Sequence, residues 1–206
     1  MLANHEEALI LDVREQRDFI DGHVPNAIFI GLNGQFAPWV GALITDLKQP
    51  ILLIVPEGKS EEAVTRLSRV GYDNTLGYLE GGMDAWKRSG KDIETLKSMT
   101  AEAFAEKSKK QEFNLLDVRK QGEYSASHLE SAQHFALDDI NHNMNQLDKD
   151  KTYHIHCAGG YRSVIAASIL QARGFDKLVD ITGGFDALKN TDLPKTNFVC
   201  PSTLKS

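Results

Sequence analysis

The sequence predicts an α/β chain built as two small tandem domains, each a parallel sheet with helices on both faces. Two observations lead there. The stretch ILDVREQRDFIDGHVPNAIFIGL (10–32) returns as LLDVRKQGEYSASHLESAQHFAL (115–137), pairing Asp12/Asp117, Arg14/Arg119, Phe19/Tyr124, His23/His128 and Ala27/Ala132 at one constant offset. Further on, RVGYDNTLGYLEGGMDAWKRSG (69–90) matches ARGFDKLVDITGGFDALKNTD (172–192), pairing Gly71 with Gly174, Gly81 with Gly183 and Gly82 with Gly184. So long a repeat marks sister domains, because solenoid units run to only ~20–50 residues. The second observation is that short apolar runs alternate with helical patterns inside each copy, which implies a parallel sheet covered on both faces.

Taken in order, residues 9–13, 51–55 and 75–79 of the first copy read as apolar strands, as do 114–118, 152–156 and 177–181 of the second. Between them, residues 61–70 place Ala63, Val64, Leu67 and Val70 on one helical stripe that stops at Gly71. Residues 164–173 do the same and stop at Gly174, glycine being the preferred C-terminal cap. The junction lies near KDIETLKSM (91–99), after which Thr100 caps a helix over 101–107. The expected domains are therefore 1–95 and 96–192, with 193–206 as a tail. At the constant offset Met1 falls opposite Glu106, so the first copy lacks most of the helix that opens the second. Either the first domain begins abruptly or the chain was cut from a longer protein, and the second is the expectation.

With 41% hydrophobic and 25% charged residues, the 206-residue chain has an ordinary globular composition. A net charge of −6 offers no basic surface for a phosphate backbone, so nucleic acid is not an expected partner. The longest apolar run, 51–55, is far short of the ~20 residues of a membrane span, and Glu6 and Glu7 stand where a signal peptide would be apolar. Two cysteines, Cys157 and Cys200, give at most one disulfide, which points to a reducing, cytoplasmic setting.

The chemistry concentrates in HCAGGYRS (156–163), between a strand and a helix. Ligands of open parallel sheets bind beyond the carboxyl ends of the strands, where helix N-termini present free amides. Gly159 and Gly160 let the backbone curl so that the amides of Ala158 through Ser163 face inward as an anion nest, and Arg162 adds a positive fork of donors. The same field favours thiolate over thiol at Cys157, which makes it the candidate nucleophile. The competing reading is a small buried hydrophobe. The equivalent turn of the first copy, VPEGKSEEA (55–63), is expected to be two residues shorter, with Pro56 in place of the cysteine and glutamates where an anion would sit.

Together the two LDVR boxes, the H…A turn after each, the six-residue Cys157-x4-Arg162 loop and the paired glycines near each copy's end resemble the tandem rhodanese family over nearly the whole chain. The resemblance implies a sulfurtransferase in which Cys157 accepts a sulfane sulfur from thiosulfate or a small persulfide. The sulfur then passes to a thiol, sulfite or cyanide, with one inactive and one active domain and no cofactor. GYLEGGMDAW, CAGGYRS and CPSTL further resemble the rhodanese pair that follows a metallo-β-lactamase-fold persulfide dioxygenase in bacterial fusion proteins, so a fused or associated dioxygenase is an expected partner. The alternative is a non-catalytic docking or persulfide-receiving module for such a partner. Related phosphatases and arsenate reductases use a longer Cys-x5-Arg loop, which disfavours phosphate chemistry.

Other residues have quieter readings. Asp117 and Arg119 are expected to brace the loop structurally, because Asp12 and Arg14 survive in the copy without a cysteine, and His23 and His128 follow the same logic. His154 and His156 alternate on a strand, but two ligands make no metal site. Tyr161 lines the pocket mouth or is simply exposed. Trp39 and Trp86 read as core or interface aromatics, and Cys200 as an inert tail residue or a resolving thiol.

Overall fold

The computed structural model of the chain describes residues 8–196. The chain divides into two compact units, Met1–Leu96 and Lys97–Ser206. The first contains β1 (Leu9–Asp12), α1 (Gln16–Asp21), β2 (Ile28–Phe29), α2 (Phe36–Leu43), β3 (Ile51–Ile54), α3 (Ser60–Ser68), β4 (Thr75–Tyr78) and α4 (Gly82–Arg88). Its strands form a parallel sheet in the order β2-β1-β3-β4. The second contains β5 (Lys97–Thr100), α5 (Ala101–Ser108), β6 (Asn114–Asp117), α6 (Gln121–Ala126), β7 (Ala132–His134), α7 (Ile140–Asn143), β8 (Tyr153–His156), α8 (Tyr161–Ala172), β9 (Leu178–Thr182) and α9 (Gly184–Leu188). Here the parallel order is β5-β9-β8-β6-β7.

Both central strands are buried along their whole length, ILLI in β3 and YHIH in β8, which is what coverage of both sheet faces demands. In the second unit the alternation along β8 sends its two histidines to one face, where His154 packs on Phe104 of α5 and His156 on Phe185 of α9. The opposite face lies under α8, whose residues 163–170 are all buried. Thr100 caps α5, its hydroxyl accepting from the Ala103 amide at 3.2 Å.

Three strands have no counterpart in the sequence reading. β2 and β7 are too short to show a period, and β5 is an edge strand whose side chains are mostly exposed. After the last helix of each unit the chain folds back on the histidine of the repeated box. Glu94 pairs with His23 in the first unit, and the Thr196 amide donates to the His128 carbonyl at 2.9 Å in the second. Cys200 lies outside the described residues.

Strand register corrects one alignment. The Val13 amide donates to the Ile54 carbonyl and the Val118 amide to the His156 carbonyl, both at 2.9 Å, so Ile54 is the counterpart of His156. Val55, not Pro56, therefore stands where Cys157 does. The first copy is also one residue shorter, rather than two, between that strand end and the closing glycine. The difference comes from the helix: α3 has 9 residues and α8 has 12, so residues 55–59 stay in the turn.

Candidate active site

Cys157 stands directly after β8, at the carboxyl end of the sheet, and is 1% exposed. Its Sγ accepts the Gly160 amide at 3.1 Å. Gly160 takes the left-handed conformation (φ 110°) that lets the chain turn from strand into α8 while aiming this amide back at the sulfur. Ala158 is half-buried and Gly159 exposed at the rim of the loop, and Tyr161 is half-buried.

The loop is held from behind by the first turn of α9. The Phe185 amide donates to the Cys157 carbonyl at 2.7 Å and the Asp186 amide to the Ala158 carbonyl at 3.0 Å. With these carbonyls drawn away, the Gly160 amide is the loop donor seen on the sulfur. The approach requires Gly184, since a Cβ there would lie 2.5 Å from both the Cys157 and the Ala158 carbonyl oxygens. The sequence reading used the glycine pair only as a family mark and missed this role. The signal available was a glycine pair at the opening of a helix.

Two of the expected loop contacts, Arg162 and Ser163, have partners within the protein. The Arg162 guanidinium is engaged by Glu123 of α6, with its two terminal nitrogens donating to the two carboxylate oxygens at 2.6 and 2.7 Å. This pair holds the Glu123 carboxyl below its ordinary range and raises Arg162, so Arg162 anchors the loop to α6 rather than offering a free fork. Local sequence could not reveal this, because from Cys157 to Phe175 there is no acidic residue and the partner comes from another helix. Ser163 is fully buried and turned inward. Its Oγ lies 2.7 Å from the Gly160 carbonyl and 2.5 Å from Asp180 Oδ1 on β9. It faces the sheet because the third residue of α8 lies on the helix's buried side.

Asp117 and Arg119 lie under the loop. Arg119 Nε and Nη2 donate to the Asp117 carboxylate at 2.9 and 2.6 Å, and Nη2 also donates to the Ser127 carbonyl. The guanidinium lies 4.0 Å from the Phe185 ring centroid, so the brace supports the residue whose amide holds the Cys157 carbonyl. Arg14 and Asp12 repeat this geometry at 3.0 and 2.7 Å. His128 and His23 stack on Tyr124 and Phe19 with centroids 3.7 and 3.8 Å apart, and each lies within hydrogen-bond distance of the carbonyl of that aromatic residue.

Burial lowers His154 to about 4, helped by the charge of Lys107. His156 Nδ1 meets the Cys157 carbonyl at 3.1 Å, with its ring on the face away from α8. Among the described residues no three of His, Cys, Asp and Glu converge as a metal-ligand set, and no helix is long and apolar enough to cross a membrane.

In the first unit the same corner is open. A cavity of about 620 Å³ lies between residues 55–60 and 78–84, lined in part by Pro56, Glu57, Glu80 and Asp84. A Cβ on Gly82, the counterpart of Gly184, would meet nothing within 4 Å.

Comparison with known proteins agrees with the repeat. The profile of the rhodanese-like domain family matches twice, at residues 1–89 and 100–191. The chain is 30% identical over 81 residues to a thiosulfate sulfurtransferase, GlpE, of Coxiella burnetii (strain RSA 493 / Nine Mile phase I), covering 39% of this chain and 76% of that one. It is 29% identical over 99 residues to YrkF of Bacillus subtilis (strain 168), covering 48% of this chain and 54% of that relative, about half its length. A crystal structure of a rhodanese-like domain protein from Staphylococcus aureus aligns at a TM-score of 0.45 and 31% identity, over 48% of this chain and 96% of that one. The chain belongs to the rhodanese-like domain family, in two tandem copies.

Proposed function

We propose that the second unit is a sulfurtransferase that carries sulfane sulfur on Cys157 while the first unit has no sulfur chemistry of its own. The observation that carries this reading is the buried Cys157 sulfur with the Gly160 amide 3.1 Å away, in a loop whose carbonyls are tied off by α9. The likeness to a thiosulfate sulfurtransferase supports the reaction class, and thiosulfate or a low-molecular-weight persulfide is the proposed donor.

The Cys157 thiolate attacks the outer sulfur of the donor. A new S–S bond forms as the donor's own bond to that sulfur breaks, and sulfite or a thiolate leaves with the electron pair. The negative charge then rests on the outer sulfur of the Cys157 persulfide, where the loop amides stabilise it. A thiol, sulfite or cyanide takes this outer sulfur, and the bonding pair returns to Cys157 as thiolate. The scheme uses no external oxidant or reductant and no cofactor. A reducing cytoplasm would keep Cys157 in its free form.

A second reading, a docking or persulfide-receiving module for a fused or associated persulfide dioxygenase, draws on the first unit, where Val55 replaces the cysteine and the corner is an open cavity. Sulfur transfer from thiosulfate to cyanide separates the two. Transfer by the wild-type chain and its loss in Cys157→Ser are expected, and undiminished transfer in that variant would overturn the sulfurtransferase reading.

A further inference from the structure

The reading of Cys157 as nucleophile leaves one buried acid unused. Asp180 is 1% exposed in the middle of β9, and among the described residues no lysine, arginine or histidine pairs with it. A strand aspartate in a sheet interior needs a reason.

Counting hydrogens supplies one. Ser163 Oγ lies 2.5 Å from Asp180 Oδ1 and 2.7 Å from the Gly160 carbonyl oxygen, but it has a single hydrogen. With Asp180 ionised, two acceptors compete for that hydrogen and one oxygen pair is left in contact with none between. With Asp180 protonated both contacts are filled, since the carboxyl donates to Ser163 Oγ and Ser163 donates to the Gly160 carbonyl. Burial acts in the same direction, raising Asp180 to about 7 against the lowering effect of the Ser163 bond.

The surroundings add no compensating charge. Asp180 is in register with Ser98 of β5 and Ile155 of β8, so it shares their face of the sheet. The titratable groups of that face of β8 are Tyr153 and, just past its end, Cys157. α8 covers the face with a buried stretch, residues 163–170, and its flanking Arg162 is held by Glu123. His154, His156 and Asp117 belong to the other face, as does Lys97, which is in register with Val179.

We propose that Asp180 is a positioning residue for Cys157, holding a proton in the reactive state and, through Ser163 and Gly160, keeping the Gly160 amide on the sulfur. When that proton leaves, the Ser163 hydrogen turns to the carboxylate, the Gly160 carbonyl loses its bond from Ser163, and a negative charge appears on the strand beneath the loop. Ionisation of Asp180 is therefore felt at Cys157 through this relay. Cys157 reactivity is held back as Asp180 ionises.

The proposal rests on Cys157 being the reactive group, and its test is kept separate from sulfur transfer. The rate of Cys157 alkylation by iodoacetamide is measured on the full chain from about pH 5 to about pH 9, with peptide mapping so that Cys200 is scored apart. Asp180→Asn keeps a donor toward Ser163 but cannot titrate. The expected result is that the wild-type and Asp180→Asn rates meet at acid pH and part above neutrality by about tenfold, with the wild type the slower. Ser163→Ala, which cuts the relay but keeps the acid, is expected to shrink that separation. Superimposable wild-type and Asp180→Asn profiles would overturn the proposal. Should Asp180→Asn fail to fold, a Ser163→Ala profile identical to wild type would do the same. Absence of thiosulfate-derived sulfur on Cys157 would instead count against the sulfurtransferase reading, leaving the alkylation result intact.

Discussion

Both copies hold an aspartate at the end of a strand against an arginine two residues on, and both cross-link that arginine to a carbonyl eight residues further, at 2.8 Å in each case. Both also begin their last helix with a left-handed glycine whose Cβ would lie 2.9 Å from an alanine Cβ, Gly81 against Ala85 and Gly183 against Ala187. They part at the next residue. Gly184 is pressed against the carbonyls of the Cys157 loop, whereas Gly82 faces open space beside a cavity. The shared brace therefore belongs to the fold, and the tie between loop and last helix belongs to the site.

The largest expected effect comes from breaking that tie. Gly184→Ala must push the loop carbonyls aside and strain a left-handed position, costing about 2–5 kcal/mol and, with it, persulfide formation on Cys157. Gly82→Ala meets only the conformational cost, about 1–2 kcal/mol. Urea denaturation followed by unit-resolved hydrogen exchange compares them, and equal losses would dissolve the contrast.

The copies should also separate in acid. His154 is held at about 4 in the folded state, below the ordinary histidine value, so the unfolded chain binds more protons between the two. The stability that neutral His154 contributes is then complete above about pH 6.5 and falls as pH drops toward 4, by at most ~1.4 kcal/mol per pH unit, while Asp180, raised to about 7, contributes the opposite slope over the same range. The first copy carries Leu52 at the same register position and has no such loss from that position. Hydrogen exchange of the second unit in the wild type and in His154→Phe isolates this contribution: the two are expected to diverge as pH falls from about 6.5 toward 4, and a constant difference would contradict it.

A smaller effect is expected at the loop's edge. Glu123→Gln keeps a partner for Arg162 but removes the charge that neutralises it. KM for thiosulfate should fall about fivefold, as for one partly exposed charge worth about 1 kcal/mol, and the gain should fade with added salt. An unchanged KM would mean that Arg162 has no field at the donor site.

Much of this was legible in the sequence, because repetition and period survive without contacts. The long apolar runs gave the central strands, and the glycines between Cys157 and Arg162 gave the loop. What escaped depends on distance or on shift. The partner of Arg162 sits on α6, and the partner of Ser163 is an aspartate in a strand, which reads as polar surface until its burial is known. Aligning strand ends by sequence sets Pro56 opposite Cys157, because a shortened helix slides the turn by one residue, something only strand register reveals. The edge strand β5 shows no apolar run, since its side chains are mostly exposed.

The central claim is that one copy alone carries sulfur and that Cys157 is its carrier. Incubation of the full chain with thiosulfate, followed by peptide mapping under non-reducing conditions, tests it most directly. The account predicts one added sulfur atom on the peptide bearing Cys157, discharged by cyanide and absent from Cys157→Ser. An unmodified Cys157 peptide at saturating thiosulfate, or sulfur transfer that persists in Cys157→Ser, would contradict it.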